Sequence, residues 1–408
     1  MVSSRAPGPG IGVLPKLSRL RRDPLRVLLD YHREYGDIVR LGGGAFTVHL
    51  LGHPAFADHV LRRRHANYDR QTRSADAVRV VTGESLLTND GEQWRRHRLL
   101  MQPAFSHDAV APLTALIEEA AEAMVDRWLA ARGEPVDVAA ESTRLTATIA
   151  SRAFFGTDVS LSQLLPAILE ETYARSTDLL PLRRLARDTR PFDAACEELR
   201  ATIEGIVALG PRTPLAERLA AALDDEELRN EMLALLLAGH ETTANALAWT
   251  FFFLASSPEL ARWMDDERWI TAAIEESMRL YPPVWILERR AIEDDEIGGY
   301  TIPAGSMLYV SPYVLHRDPR FWPDPERWDP ARFLSAAPHE AWLPFGAGPH
   351  HCLGASFAML EARTVVRVVM RRCSLTLAPG ARVEPQAWVT LRPRNGVPVL
   401  VERRASAR

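Results

Sequence analysis

Apolar residues recur at helical spacing through most of the first two-thirds of this 408-residue chain. The spacing predicts helices over residues 113–131, 227–255 and 261–280, and another from Ser356 onward. Residues 231–255 are apolar on nearly every face, which is typical of a helix buried in a large core. A polar run, His240-Glu241-Thr242-Thr243, interrupts this segment near its middle. The pattern therefore indicates a long buried central helix with one polar notch.

Runs with strand character are short and are bounded by turn residues. They lie at 37–41, 46–51, 300–302, 307–310, 388–391 and 397–401, with a turn at Asn395-Gly396 between the last two. Four prolines exclude residues 317–332 from any helix or central strand. We therefore expect a mostly α fold with a minor β part. It would form a single large domain over 21–408, preceded by a proline- and glycine-rich leader over 1–20.

Composition narrows the possible functions. The net charge of -4 argues against a nucleic-acid partner, which would require a basic surface. Because no stretch has the roughly 18 unbroken apolar residues of a membrane span, we expect a soluble, cytoplasmic protein without membrane contact. Cys196, Cys352 and Cys373 are odd in number and widely spaced, which fits a reducing compartment. Lysine and arginine together number 49, and only Lys16 is a lysine, which suggests a GC-rich bacterial genome.

Residues 345–354 read Phe-Gly-Ala-Gly-Pro-His-His-Cys-Leu-Gly and place Cys352 near the start of the last predicted helix. A helix N-terminus favours the thiolate form, and Gly346 and Gly348 would let the backbone approach a large flat group. Taken alone, Cys352 is better explained as a small buried hydrophobic residue, because free cysteine is usually buried. A zinc site is disfavoured because the adjacent His350 and His351 cannot close a tetrahedron with it. A Cys–His nucleophile would lack an orienting third group.

The full ten-residue pattern resembles the haem-ligand loop of the cytochrome P-450 family. The resemblance extends over nearly the whole chain, and its compact layout is similar to soluble bacterial members. It implies a cytochrome P-450-like fold and haem b (iron protoporphyrin IX) as cofactor. It also implies that Cys352 is the axial ligand of the haem iron and that Gly354 contacts the cofactor.

The segment Ala238-Gly239-His240-Glu241-Thr242-Thr243 resembles the oxygen-activating motif of the same family. Gly239 would leave room for a small ligand, and Thr242 can donate a hydrogen bond to the carbonyl of Ala238, loosening the helix. Glu241 and Thr242 would then be the catalytic acid–alcohol pair that delivers protons. The alternative is a polar interruption that is satisfied within the core.

Two arginines, one tryptophan and one histidine match the family's partners of the haem propionates. Trp94 and Arg98 stand four residues apart, so they face the same way on a helix. His350 precedes the cysteine by two residues. Arg289 has Arg290 beside it, and spacing alone does not choose between these two. Buried carboxylates need such donors, and the planar guanidinium suits them best.

Further residues are assigned by the same resemblance. Glu276 and Arg279 lie on one helical face, and the resemblance joins Arg327 to them in a structural triad beneath the cysteine loop. The substrate would meet segments 78–86, 179–185 and 284–287 on the open side of the haem. The individual pocket candidates are Leu235, Ala238, Val284, Ile286 and Trp388. Since several of these are apolar, a lipophilic small molecule is expected.

The resemblance implies a haem-thiolate monooxygenase that inserts one atom of O2 into its substrate by hydroxylation or epoxidation, in secondary-metabolite biosynthesis. Electrons would come from NAD(P)H through a reductase and a separate ferredoxin or flavodoxin. That donor would dock on Arg95, Arg96, Arg363, Arg367 and Arg371, unless these are merely solvated. One alternative is a haem-thiolate isomerase, dehydratase or oxidative coupling enzyme without net oxygen insertion. A haem-based redox or gas sensor is another, and an attached output domain would be expected of it.

Overall fold

The computed structural model describes residues 5–10, 19, 22–42, 47–131, 133–159, 163–178, 187–335 and 340–404. Its α-helices are α1 (Pro24–Tyr35), α2 (Pro54–Asp58), α3 (Arg73–Thr82), α4 (Gly91–Met101), α5 (His107–Val110), α6 (Thr114–Ala130), α7 (Val138–Phe155), α8 (Leu165–Thr177), α9 (Arg190–Ala208), α10 (Pro214–Ala222), α11 (Asp225–Ser256), α12 (Glu267–Leu280), α13 (Pro312–Leu315), α14 (Arg332–Ser335) and α15 (Ala355–Arg372). Its strands are β1 (Ile38–Leu41), β2 (Val48–Leu51), β3 (Tyr68–Asp69), β4 (Val136–Asp137), β5 (Leu287–Ala291), β6 (Asp295–Ile297), β7 (Tyr300–Ile302), β8 (Met307–Val310), β9 (Cys373–Leu377), β10 (Pro385–Ala387), β11 (Leu391–Pro393) and β12 (Pro398–Arg403). Short 3-10 and π turns lie at His59–Arg63, His65–Asn67, Gln102–Phe105, Ala111–Leu113, Pro258–Trp263 and Gly348–His350.

The predicted mostly helical fold is confirmed, and α6, α11 and α15 lie where the apolar spacing indicates. The helix expected over 261–280 begins later, at Glu267. Its N-cap is Asp266, whose carboxylate accepts a hydrogen bond from the Arg268 amide at 2.9 Å. Capping of this kind sets a helix start that apolar spacing cannot reveal. The proline-rich segment has neither helix nor strand until α14 begins at Arg332.

The central helix α11 runs for 32 residues through the largest core cluster. At its start, Asp224 accepts hydrogen bonds from the amides of Glu226 and Glu227 at 3.0 and 2.9 Å. It then packs against α7, α12 and α15. Trp249 and Phe251 are fully buried, and burying an apolar side chain of this size contributes about 1.5–3 kcal/mol. The helix is held by burial on all sides, as its nearly uniform apolar surface predicts.

The largest sheet has the strand order β1-β2-β8-β5-β3. β2 and β8 are parallel, and the other neighbours in it are antiparallel. The predicted runs 388–391 and 397–401 do not share a sheet, because β11 pairs with β10 while β12 pairs with β4 and β9. Residues 388–390 form a tight turn before β11, in which the Trp388 amide donates to the Thr390 carbonyl at 3.0 Å.

Within the described ranges, no helix combines the length and the apolar character that crossing a bilayer requires. The division into a leader over 1–20 and a catalytic domain over 21–408 stays a prediction.

Glu276 and Arg279 form the expected buried pair on α12, and both side chains are fully buried. Arg279 donates to both Glu276 oxygens, at 2.6 and 2.9 Å, and to the carbonyls of His316, Pro325 and Arg327 at 2.7 to 3.0 Å. The prediction that Arg327 is the third residue of this triad is wrong. Arg332 places its Nε 3.3 Å from the same carboxylate, whereas Arg327 contributes its carbonyl and leaves its side chain exposed. The Asp329 amide, 2.8 Å from Glu276 Oε1, turns the chain so that Arg332 faces inward.

We expect Arg332→Ala to lower the free energy of unfolding by about 1.5–3 kcal/mol, since it removes a charged hydrogen bond from a buried carboxylate. The matched change Arg327→Ala alters an exposed side chain and should stay within about 0.5 kcal/mol of wild type. Denaturant unfolding of the two variants under one buffer measures both values. Equal losses of unfolding free energy in the two variants would contradict the assignment of Arg332 and support Arg327 instead.

Candidate active site

A cavity of about 1930 Å³ lies between the cysteine loop and α11. Its walls come from α3, α4, α8, β5 and the turn at 388–390, and most of the lining is apolar. Cys352 faces this cavity from the loop 345–354, opposite the polar notch of the helix. A ligand pocket for one drug-sized molecule spans about 300–1,000 Å³, so this volume has room for a large cofactor together with a substrate.

The cysteine loop is shaped by its packing on the π turn His59–Arg63. Gly348 has φ of 71°, and a Cβ there would lie 1.8 Å from the Leu61 carbonyl oxygen. Gly348 is therefore required by the protein's own backbone, whereas we expected approach to a flat ligand. The Cys352 amide donates to the Phe345 carbonyl at 2.9 Å, which closes the loop and directs the sulfur into the cavity.

Cys352 lies three residues before α15, and Gly354 is the N-cap. Burial raises the pKa of the Cys352 thiol, while the Gly354 amide and Arg98 lower it by less. Gly354 lines the cavity beside the sulfur, and a Cβ there would meet no protein atom within 4 Å.

A group of basic side chains lies at one edge of the cavity. Trp94, Arg98, Arg289 and His350 all line it, as predicted, and the rings of Trp94 and His350 are 4.1 Å apart. Burial lowers the pKa of His350 to about 2, helped by the positive charges of Arg70 and Arg289. The His350 Nδ1 atom is buried and has no hydrogen-bond partner among the described residues. Such an atom needs a partner that the protein does not supply.

The choice between Arg289 and Arg290 is decided by strand alternation on β5. Arg289 faces the cavity and is 8% exposed, whereas Arg290 turns away and pairs with Asp69 at 2.6 Å. Burial and the nearby Arg70 lower the pKa of Arg289 to about 10. An anion placed between these cations would relieve their repulsion.

Arg70 belongs to the same group, although the sequence reasoning missed it. Its Nε lies 3.2 Å from an oxygen of Asp90, and it also lines the cavity. The signal was its place directly after Asn67-Tyr68-Asp69, which already matched the family. This edge has three arginines, with Asp90 and Asp69 as nearby carboxylates, and it fits a ligand that carries two carboxylates, as haem b does.

The polar notch of α11 divides its side chains between two directions. Thr242 donates to the Ala238 carbonyl at 2.7 Å, as predicted, and the helix stays continuous there. Glu241 accepts a hydrogen bond from the Thr390 hydroxyl at 2.6 Å. Burial raises the pKa of Glu241 to about 7, although Thr390 and Arg392 lower it. His240 points the other way and bonds to the Thr143 carbonyl of α7 at 2.9 Å.

Gly239 lines the cavity and also contacts the neighbouring helix α7. A Cβ at this position would lie 3.0 Å from the ring of Phe154. The missing side chain therefore lets α7 approach α11 closely, in addition to opening the cavity wall.

The predicted pocket residues Leu235, Ala238, Val284, Ile286 and Trp388 all line the cavity. From the segment 78–86, Val78, Val81 and Leu86 do so as well. The predicted segment 179–185 lies outside the described residues.

A buried pair that the sequence reasoning missed connects α4 to the central helix. His97 Nδ1 lies 2.5 Å from Glu231 Oε1, and both side chains are fully buried. The same oxygen accepts the Leu86 amide at 2.8 Å. Because Trp94 and Arg98 lie on α4 to either side of His97, this pair sets their position relative to α11.

This topology, with a cysteine facing a large cavity under a long central helix, is that of the haem-thiolate enzymes. The sequence model of the cytochrome P-450 family matches residues 3–179 and 212–397. The chain therefore belongs to the cytochrome P-450 family and is a monooxygenase enzyme with haem as cofactor.

Three related proteins illustrate the match. Cyclooctatin synthase of Streptomyces melanosporofaciens is 32% identical over 431 residues, covering 95% of this chain and 93% of that protein. Cyclooctat-9-en-7-ol 5-monooxygenase of the same organism is 30% identical over 420 residues, covering 92% and 90%. The crystal structure of CYP175A1 from Thermus thermophilus superposes with a TM-score of 0.84 at 32% identity, covering 98% of this chain and 100% of that one.

The His97–Glu231 pair predicts a pH-dependent stability. The hydrogen bond to Glu231 raises the pKa of His97 above its usual 6.5. The stabilisation is then fully present below about pH 6.5 and is lost as pH rises through the raised value. His97→Asn should cost about 1–3 kcal/mol at pH 6 and less at alkaline pH. Denaturant unfolding across this range measures the difference, and His107→Asn, at an exposed site, is the control. A gap that stays constant with pH would contradict the assignment.

Proposed function

We propose that the protein is a haem-thiolate monooxygenase that inserts one oxygen atom of O2 into a terpenoid. In this proposal Cys352 would ligate the haem iron, and Trp94, Arg98, Arg289 and His350 would hold the propionates with help from Arg70. The observation that carries it is one cavity with a sulfur on its floor, basic side chains at one edge and apolar walls above.

The bound haem would supply oxygen activation, and the chain's own residues would handle the protons. Glu241 has a raised pKa of about 7, which is near the value at which a general acid or base works best at neutral pH. Thr242, the next residue, lines the cavity beside it. We assign to this pair the movement of protons from solvent to the oxygen site.

The substrate class rests on the related proteins and on the cavity. Two related proteins are named cyclooctatin synthase and cyclooctat-9-en-7-ol 5-monooxygenase, which supports terpenoid metabolism. The apolar lining from Leu235, Val284 and Ile286 suits a bulky hydrocarbon skeleton. A role in secondary metabolism follows from this assignment.

The central test is the reduced carbon-monoxide difference spectrum of the purified holoenzyme. We expect the long-wavelength band of a thiolate-ligated haem in the wild type, and its loss in Cys352→Ala. The variant Cys373→Ala, at a buried cysteine outside the cavity, should keep the band. A wild-type spectrum without this band would refute thiolate ligation. A panel of terpenes scored for the spin-state change of the resting enzyme then tests the substrate class.

Electrons would come from NAD(P)H through a reductase and a ferredoxin or flavodoxin that docks beside the cysteine loop. Part of the arginine set expected for docking is engaged elsewhere. Arg367 pairs with Glu118 of α6 at 2.8 Å, and Arg371 pairs with Glu122 at 3.2 Å. Arg371 also lies 16 residues into α15, about 24 Å from its start. These two arginines stabilise the contact between α15 and α6.

The docking surface that we propose instead consists of Arg62, Arg63, Arg95 and Leu99. Arg62 and Arg63 belong to the π turn that packs against the cysteine loop. Both pair with Asp58, at 3.1 and 2.7 Å, and both side chains stay more than half exposed beside the loop. Leu99 is 62% exposed. An exposed apolar residue among cations fits the acidic docking face of a small electron carrier.

Arg62→Glu should slow reduction by an acidic ferredoxin about tenfold at low salt and weaken its dependence on ionic strength. Arg371→Glu is the matched control, since it reverses an arginine that is remote from the loop. Stopped-flow reduction of the two variants measures the rates. If both variants slowed reduction equally, the proposed surface would be wrong and the electron donor would dock nearer to α15.

A further inference from the structure

Thr390 connects two polar residues of the central helix through its hydroxyl. Asn245 Nδ2 donates to Thr390 Oγ1 at 3.0 Å, and Thr390 donates to Glu241 Oε1 at 2.6 Å. Thr390 and Asn245 are 4% and 7% exposed, so water competes little for these bonds. A hydroxyl has one hydrogen to give. Because Asn245 occupies an acceptor position of the oxygen, that hydrogen is directed at Glu241.

The backbone around Thr390 is held on both sides. Trp249 donates its indole N–H to the Leu391 carbonyl at 3.1 Å, and Trp285 donates to the Trp388 carbonyl at 2.9 Å. The Leu391 amide donates to the Pro283 carbonyl at 2.9 Å. Glu241, Asn245 and Trp249 are spaced by four residues, so all three face this turn from one stripe of α11. The turn therefore cannot move away from Glu241 without breaking several buried hydrogen bonds.

Among the described residues, few charged groups act on Glu241. Arg392 follows the turn, and its guanidinium stacks 3.6 Å from the centre of the Trp388 ring. Burial lowers the pKa of Arg392, whereas Glu241 and, more weakly, Glu170 of α8 raise it. Next to Glu241 on its own helix, His240 is turned to α7, and Thr242 is uncharged.

We infer that Thr390, oriented by Asn245, is a positioning residue for Glu241. It holds the carboxyl group beside Thr242 and favours its ionised form by one strong hydrogen bond. Thr390 keeps its own proton throughout, so it takes part in no bond exchange. The inference deepens the proposed function, on which its catalytic meaning rests.

Burial and the hydrogen bond from Thr390 shift the pKa of Glu241 in opposite directions. Burial disfavours the carboxylate, whereas the hydroxyl and Arg392 favour it. Without the hydroxyl the carboxyl group would stay protonated to higher pH and could turn away from its present direction. Proton delivery would then change in its pH dependence as well as in its rate.

The test compares Thr390→Val, which keeps the shape and removes the hydroxyl, with Thr390→Ser, which keeps the hydroxyl. Infrared difference spectra of the resting holoenzyme are titrated with pH, and the Glu241 band is identified by its absence in Glu241→Gln. We expect Thr390→Val to raise the pKa of Glu241 by about one to two pH units. Thr390→Ser should keep the wild-type value. The pH profile of product formed per NAD(P)H consumed should move in the same direction in the valine variant.

An unchanged Glu241 titration in Thr390→Val would overturn the inference. If that variant does not retain haem, Asn245→Leu decides in its place, because it frees the hydroxyl to turn away and should also raise the pKa. The proposed proton role fails separately, if Glu241→Gln forms product with undiminished yield. In that case the infrared titration still reports whether Thr390 holds the carboxyl group.

Discussion

The central helix α11 carries several buried or half-buried polar side chains, and a buried polar group needs a hydrogen-bond partner. An unpaired buried group costs about 1–3 kcal/mol. The partners come from separate parts of the chain: Glu231 bonds to His97 of α4, His240 to Thr143 of α7, and Glu241 with Asn245 to Thr390. These pairings fix α4, α7 and the turn at 388–390 around one helix. The cavity is the space that remains between these elements and the cysteine loop.

The two sides of this cavity have opposite electrostatic character. At the edge near α4, Arg70, Arg98 and Arg289 are crowded together, and burial lowers the pKa of Arg289 to about 10. Under α11, burial raises the pKa of Glu241 to about 7. One side therefore carries more cations than its paired carboxylate Asp90 balances, whereas the other holds a buried carboxyl group with a raised pKa. A cofactor with acidic groups along one edge and reactive chemistry at its centre makes use of both.

The sequence pattern predicts the features that depend on residues close together in the chain. The apolar repeat gave α11 to within two residues, and the segment 345–354 identified Cys352. The start of α12 was misplaced because of local capping by Asp266, and the other misassignments concern contacts between distant segments. Arg327 and Arg332 both follow prolines, and only the hydrogen bond from the Asp329 amide to Glu276 determines which one turns inward. Gly348 looked like a ligand contact because the carbonyl of Leu61, far away in sequence, cannot be read from the motif. The local pattern predicts a strand at Thr390, because its partners on α11 lie about 150 positions earlier in the sequence.

The use of arginine in place of lysine, which suggests a GC-rich genome, also affects the hydrogen bonds that stabilise the core. Arg279 makes five hydrogen bonds to Glu276 and three backbone carbonyls while fully buried. A lysine has three donors at a single point and could not span these acceptors. The same planar fork lets Arg367 join Glu118 of α6 to Glu267 of α12. Arg367 is therefore a cross-link between three helices, a role that its place in the sequence does not reveal.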